Sequence, residues 1–207
     1  VILGGRLGYL FFYNADKWLA DPAMLFRIWE GGMSFHGGLI GVAMAVFFYG
    51  RKNQLAFLGL ADFVVPLVPA GLFFGRIGNF IGGELYGRAT DMPWAMVFPS
   101  DPTQLARHPS QLYEALLEGL VIFLIINWFA RKPRILGEVS GLFLILYGLF
   151  RFVVEFVREP DAHLVDQSAL IESLSWMTRG QVLCIPMIVL GFWLMRKTFQ
   201  RLAGDPN

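Results

Sequence analysis

The stretch of residues 75–88 (GRIGNFIGGELYGR) follows an apolar run, residues 63–74, that contains no charge. Arg76, Asn79 and Glu84 lie within it, together with five glycines. Ionisable side chains at membrane depth are rare and are by default candidates for a functional site. A guanidinium group can donate two parallel hydrogen bonds to phosphate oxygens, and glycines let a ligand approach the backbone closely. The stretch therefore favours the binding of a phosphate group.

Asn79 follows Arg76 by three residues, so both side chains share one face if the helix continues. The amide could orient a phosphate or a glycerol hydroxyl beside the arginine. The alternative is a structural role, in which Arg76 forms an ion pair with Glu84 or Glu155 or extends to the membrane interface. The sequence leaves both interpretations open.

A polar stripe lies between residues 147 and 158, in an otherwise apolar segment. Its four members are spaced i, i+4, i+8 and i+11 along one helix face. An ion pair between Arg151 and Glu155 is the structural alternative here. Few acids are expected near Arg76 and Arg151, so we expect an anion to be supplied from outside the chain. The stripe consists of Tyr147, Arg151, Glu155 and Arg158.

A third candidate, His36, opens an apolar segment at the membrane level predicted for Arg76 and Arg151. Its neighbours Gly37 and Gly38 leave room beside the ring. A neutral imidazole, with an ordinary pKa of about 6.5, is a suitable general base. A lone histidine with a purely structural role is the alternative.

Several other kinds of site are excluded by the residue types present. Only three histidines occur, and none are spaced as metal ligands. The single cysteine, Cys184, permits neither an intramolecular disulfide nor a cysteine metal site. The motifs of zinc proteases, serine hydrolases and nucleotide-binding loops are absent. We therefore expect no metal, no cofactor and no nucleic-acid partner.

The elements that must position these side chains are apolar helices. Hydrophobic residues make up 56% of the chain and charged residues 16%, with a mean hydropathy of +0.54, whereas soluble domains are about 25% charged. We predict an all-α, polytopic membrane helix bundle that forms a single transmembrane domain over residues 1–207. The six predicted spans are 1–14, 36–50, 59–81, 110–130, 137–157 and 181–196.

The first span begins without an initiator methionine or a capping residue, so we expect an N-terminally truncated chain that lacks at least one upstream span. Basic residues accumulate after the second, fourth and sixth spans, which places that side in the cytoplasm. The loops 15–35, 82–109 and 158–180 then lie on the outer side. Residues 169–177 are amphipathic and are predicted to form a short interfacial helix.

Four stretches together resemble the signature of the bacterial prolipoprotein diacylglyceryl transferase family, and they span almost the whole sequence. They are residues 75–88, FHGG at 35–38, HPSQLYEA at 108–115, and YGxxRFxxE at 147–155. The family commonly has Asn at the position of Gly82, which is the one visible departure.

The resemblance implies a seven-span enzyme of the bacterial inner membrane with its active site toward the periplasm. Such an enzyme moves the diacylglyceryl group of phosphatidylglycerol onto the lipobox cysteine of a prolipoprotein signal peptide, and it releases glycerol 1-phosphate. Its partners are these two substrates and the surrounding membrane lipids. The implied catalytic residues are His36, Arg76 and Arg151, and the implied substrate-binding residues are Arg76, Asn79, Glu84, Gly87, Tyr147 and Glu155.

Two other functions are compatible with polar groups at membrane depth. A transporter or lipid flippase would also carry polar stripes and glycine-broken helices, although no internal repeat is found. A phosphatidyl-group transferase without a protein acceptor is the second. Release of glycerol phosphate and a mass gain on a lipobox peptide would distinguish the expected activity from both.

Overall fold

The computed structural model describes residues 1–159 and 178–202, without the side chains of residues 12, 13, 35, 36, 179 and 197–202. These residues are mostly helical, as the sequence predicts. The principal helices are α1 (Ile2–Tyr13), α2 (Ala15–Ala20), α3 (Phe35–Asn53), α4 (Phe57–Val64), α5 (Val68–Gly82), α6 (Ser110–Glu114), α7 (Ile122–Phe129), α8 (Glu138–Val154) and α9 (Arg179–Leu202). A helix is present at each of the six predicted positions. The predicted interfacial helix at 169–177 lies outside the described residues.

The chain divides into two compact units, Val1–Leu60 and Ala61–Asn207. In the first unit, α1 packs on α3 through glycines. A Cβ on Gly4 would lie 2.5 Å from the Gly37 carbonyl oxygen, so the two backbones meet where neither residue has a side chain. Ser34 caps α3 by accepting a hydrogen bond from the Gly37 amide at 3.2 Å.

The loop that joins α2 to α3 contains two short 3₁₀ turns, Pro22–Leu25 and Ile28–Glu30. Arg6, buried on α1, donates hydrogen bonds to carbonyl oxygens on this loop, including Met24 at 2.6 Å and Arg27 at 2.8 Å. Arg6 therefore fastens the loop to the first helix.

The helices α4 and α5 form one apolar stretch, Phe57–Gly82, which is interrupted by the 3₁₀ turn Val65–Leu67. The interruption contains Pro66, whose ring and missing N–H group break the α-helical hydrogen-bond pattern. The helix α5 ends at Gly83, whose φ of 68° is readily adopted only by glycine. This turn directs the following backbone toward α6.

The next apolar stretch, Ser110–Phe129, begins as α6, continues through the π-helical segment Ala115–Val121 and ends as α7. Gly119 lets this stretch approach α5, because a Cβ there would lie 2.8 Å from the Phe73 Cα. π-Helical segments are frequent at functional sites, and this one lies where the stretch contacts α5.

The helix α8 completes the group by packing on α9 and on α7. Gly141 faces the Gly191 carbonyl at close range, and the core around Ile122, Ile126 and Val139 lies between α7 and α8. The Asp62 carboxylate accepts a hydrogen bond from the Gly137 amide at 2.6 Å, which anchors the start of α8.

The loop 82–109 carries a short antiparallel pair, β1 (Met96–Val97) and β2 (Ala106–Arg107). Arg107 holds this loop together. Its guanidinium contacts Asp101 at 2.5 Å and Glu159 at 3.3 Å. The hydrogen bond from Arg107 holds the pKa of the Asp101 carboxyl below its usual range.

Two of the described helical stretches, Phe57–Gly82 and Ser110–Phe129, are long and apolar enough to cross a membrane. Gly180–Arg196 is a shorter apolar helix. Large apolar side chains along the first stretch are exposed, as expected for contact with lipid, and Phe63 is 78% exposed.

Candidate active site

Three arginines and three glutamates from different elements of the second unit converge on one buried cluster. Arg76 comes from α5, Glu114 and Glu118 from α6 and the π-helical segment, and the remaining three from α8 and the residues directly after it. The buried cluster consists of Arg76, Glu114, Glu118, Arg151, Glu155 and Arg158. Its formal charges balance when all six groups are ionised.

Glu114 is the centre of the cluster and is fully buried. Its Oε2 atom lies 2.6 Å from Nε of Arg76 and 3.1 Å from Nη1 of Arg151. Its Oε1 atom lies 3.8 Å from Nε of Arg158. The Glu114 carboxylate therefore holds together three guanidinium groups, which would repel each other without it.

Arg151 has two further acidic neighbours. Its Nη2 lies 3.1 Å from Glu155 Oε2, and its Nη1 lies 3.7 Å from Glu118 Oε1. Glu155 is also fixed from the other side, because the Thr178 hydroxyl donates to its Oε1 at 3.1 Å. These contacts hold the Arg151 guanidinium in one position.

Arg76 is the most exposed of the three arginines, since its side chain is 18% exposed against 13% for Arg151 and 10% for Arg158. Its Nη1 donates a long hydrogen bond to the Asn79 Oδ1 at 3.4 Å. This guanidinium is thus the most accessible of the three to a ligand.

The other predicted site residues have different surroundings. Glu84 is exposed, and its carbonyl accepts a hydrogen bond from Gln111 Nε2 at 2.6 Å. Gly87 lies where two backbone segments meet, because a Cβ there would be 2.5 Å from the Val157 carbonyl oxygen. Tyr147 stacks on Phe143 with ring centroids 5.7 Å apart.

His36 belongs to the first unit and occupies the first turn of α3. Its side chain is outside the described part of the structure. Its role as a base remains a prediction from the sequence.

Comparison with known proteins adds evidence that is independent of this geometry. The family model described as prolipoprotein diacylglyceryl transferase matches residues 1–197. The chain belongs to this family. Its relatives include three bacterial proteins that carry the name phosphatidylglycerol–prolipoprotein diacylglyceryl transferase.

The relative from Teredinibacter turnerae is 62% identical over 100% of this chain and 72% of its own length. The relative from Vibrio cholerae is 58% identical over 97% of this chain and 72% of its own length. The relative from Ectopseudomonas mendocina is 57% identical over 97% of this chain and 74% of its own length. The resemblance on which the family was predicted is thereby confirmed.

In this member of the diacylglyceryl transferase family, the acids near the arginines differ from those predicted. We expected few of them, with Glu84 or Glu155 as the structural partner of Arg76. The partner is Glu114, and Glu118 joins it. Glu114 and Glu118 are four residues apart in an apolar segment. This spacing is the sequence signal that could have identified them as partners of the arginines.

Proposed function

We propose that this chain moves the diacylglyceryl group of phosphatidylglycerol onto the lipobox cysteine thiol in the signal peptide of a prolipoprotein. The products are a thioether-linked lipid and glycerol 1-phosphate. Membership of the diacylglyceryl transferase family supports the reaction, and the buried cluster supports the way it is carried out.

The observation that carries the proposal is the sharing of one Glu114 oxygen by Arg76 and Arg151. Glu114 already bridges these two cations, so an incoming phosphate binds on the side of the guanidinium groups that faces away from Glu114. Arg76 is the most exposed arginine of the cluster, and a guanidinium fork matches two phosphate oxygens. We assign Arg76, with Asn79, to the phosphate of the lipid headgroup.

In the reaction, the thiol sulfur forms a bond to the glyceryl carbon that carries the phosphate. The carbon–oxygen bond breaks, and its electron pair moves onto the phosphate oxygen, so negative charge grows there. Arg151 stabilises this departing phosphate, because fixed cations in a water-poor site lower the free energy of the transition state. The nucleophile comes from the substrate, so the buried Cys184 needs no catalytic role.

The acids of the cluster hold the arginines in place rather than contact the substrate. Glu114 and Glu155 fix the orientations of Arg76 and Arg151 in advance, which removes an entropic cost from the reaction. Glu118 and Glu155 also keep the site from becoming strongly cationic, so the phosphate product can leave. Tyr147 supports the face of α8 that carries Arg151.

The thiol proton needs an acceptor, because a free thiol with a pKa of about 8.5 is mostly protonated at neutral pH. We propose His36 as this base. Its residue type and its position at the start of an apolar helix support the assignment. In a His36→Gln variant the pH dependence of the rate should change, and an unchanged profile would remove His36 from this role.

We also propose that the chain crosses the bacterial inner membrane six times, with the active site toward the periplasm. The two apolar stretches Phe57–Gly82 and Ser110–Phe129 support a membrane location. The distribution of basic residues supports the orientation.

The experiment uses purified protein in phosphatidylglycerol vesicles with a lipobox peptide. Arg76→Ala and Arg151→Ala should each lower kcat/KM by about 10²–10³-fold, the usual effect of removing a group that stabilises transition-state charge. Arg134→Ala is the matched control, since this arginine contacts Phe129 and lies outside the cluster. Full activity of both cluster variants would refute the phosphate site, and flux of intact lipid without peptide modification would favour a flippase.

A further inference from the structure

A buried amide, that of Gln111, lies next to the cluster. Gln111 lies in the first turn of α6 and is fully buried. Its Nε2 donates a hydrogen bond of 2.6 Å to the Glu84 carbonyl oxygen, directly after the glycine that ends α5. Gln111 therefore joins the start of α6 to the end of the helix that carries Arg76 and Asn79.

This hydrogen bond determines which way the amide faces. A carbonyl oxygen can only accept, so the nitrogen of Gln111 must be the atom beside Glu84. The amide oxygen, Oε1, is then the atom that points away. Oε1 is buried and finds no donor among residues 1–159 and 178–202.

A buried acceptor without a donor is unusual in a folded protein, because most such groups are hydrogen-bonded to protein or to ordered water. Its neighbour Ser110 follows the rule, since its hydroxyl donates to the Leu85 carbonyl at 3.2 Å. Oxygens of Glu114, Glu118 and Glu155 in the cluster also lack a hydrogen-bond donor, but each of these acids forms an ion pair with an arginine. The neutral amide oxygen of Gln111 forms neither contact among the described residues and is thus suited to a donor that arrives with a ligand.

The position of Gln111 on the helix indicates where that ligand lies. Gln111 and Glu114 are spaced i, i+3 within α6, which places them on one face of the helix, with Cβ atoms about 5–6 Å apart. Both are fully buried. On this face Glu114 contacts Arg76 and Arg151. The amide oxygen therefore belongs to the same buried region as the proposed phosphate site.

We propose that Gln111 Oε1 accepts a hydrogen bond from a hydroxyl of the glycerol headgroup, which makes Gln111 a residue that determines headgroup specificity. The arginines bind any phosphate monoester, whereas the amide oxygen strengthens the binding of one that carries a hydroxyl. This inference rests on the proposed function and names how the same site recognises the part of the lipid that leaves.

The test compares two soluble inhibitors of the transferase in vesicles, glycerol 1-phosphate and propyl phosphate. Both carry one phosphate on a three-carbon chain, but propyl phosphate has no hydroxyl. One hydrogen bond to a neutral acceptor corresponds to about three- to tenfold in affinity. We expect the wild-type protein to be inhibited about three- to tenfold more strongly by glycerol 1-phosphate.

In Gln111→Met, an unbranched side chain of similar length, this ratio should fall to about one. The matched control is Gln181→Met. Gln181 is also a buried amide, but its oxygen already accepts a hydrogen bond from the Thr178 amide at 3.0 Å. Its removal should leave the ratio unchanged, whatever its effect on stability.

A wild-type ratio near one would overturn the inference, even if Gln111→Met failed to fold. A wild-type preference that persists in Gln111→Met would also overturn it, and would leave ordered water as the partner of the amide oxygen. Both results leave the proposed function intact as long as the wild-type protein modifies the lipobox peptide. Absence of that modification would instead refute the proposed function itself.

Discussion

Replacing the central carboxylate of the cluster should destabilise the protein far more than replacing an exposed one. Glu114→Gln keeps the shape of the side chain but removes the charge that Arg76, Arg151 and Arg158 share. Three buried guanidinium groups would then face only two carboxylates. The perturbation leaves one positive charge without a partner.

The magnitude follows from the burial of Glu114. Removing one partner of a buried ion pair costs about 3–5 kcal/mol, because the remaining charge stays in a poorly solvated site. For a domain of about 150–250 residues, each kcal/mol lowers Tm by about 2–4 °C, so the expected drop is about 6–20 °C. The matched control is Glu159→Gln. Glu159 pairs with Arg107 at 3.3 Å but is 49% exposed, and such pairs contribute about 0–1 kcal/mol.

The assay is thermal unfolding of the purified protein in detergent micelles, followed by circular dichroism. Glycerol 1-phosphate should raise the Tm of Glu114→Gln more than that of the wild-type protein, since the anion replaces the missing charge. A ligand at one hundred times its Kd stabilises the folded state by about 2.7 kcal/mol. An equal Tm for Glu114→Gln and Glu159→Gln would refute the reasoning, as would the absence of a larger anion effect.

Three further changes test other parts of the account. Glu118→Gln should lower the inhibition constant of glycerol 1-phosphate, by about tenfold, because it removes a negative charge next to Arg151; an unchanged constant would show that Glu118 does not oppose anion binding. Gly87→Ala should lower both Tm and activity, since its Cβ would lie 2.5 Å from the Val157 carbonyl oxygen. The control is Gly71→Ala, because Gly71 has open space around it. An equal loss in both variants would contradict the close backbone contact at Gly87. In the folded protein the pKa of Asp101 lies below its ordinary value of 3.8, so the ionised carboxylate stabilises the fold at pH values above 3.8. This stabilisation is lost as the pH falls from 3.8 toward the pKa of the folded state. The stability difference between the wild-type protein and Asp101→Asn should therefore be constant at neutral pH and shrink below about pH 4, and a constant difference throughout acid titration would contradict it.

The helices and the two central arginines could be predicted because their signals are local. Apolar runs of membrane length mark the helices, and an arginine such as Arg76 stands out within one. The i, i+4 spacing of Arg151 and Glu155 likewise needs only helix periodicity, and their ion pair is present at 3.1 Å.

The partner of Arg76 could not be predicted in the same way. Glu114 lies 38 positions along the chain, and only the packing of α5 against the π-helical segment brings the two side chains together. The π-helical geometry of Ala115–Val121 has no simple sequence signal. The contact of Arg107, in the second short strand of loop 82–109, with Glu159 is also not local, since the two residues are 52 positions apart.

The free amide oxygen of Gln111 illustrates a further limit of sequence patterns. Its residue type is visible in the motif at 108–115, but its significance depends on which atom faces Glu84. Only a structure that assigns the donor and the acceptor can reveal an acceptor without a partner.

Product release by the reconstituted protein shows whether Arg76 and Arg151 bind the departing phosphate. Wild-type protein in phosphatidylglycerol vesicles should release one glycerol 1-phosphate for each lipobox peptide that gains the mass of a diacylglyceryl group. Arg76→Ala and Arg151→Ala should lose both products together, whereas Arg134→Ala should retain them. A peptide that gains the diacylglyceryl mass at the wild-type rate in both cluster variants would contradict the claim that these arginines bind the departing phosphate.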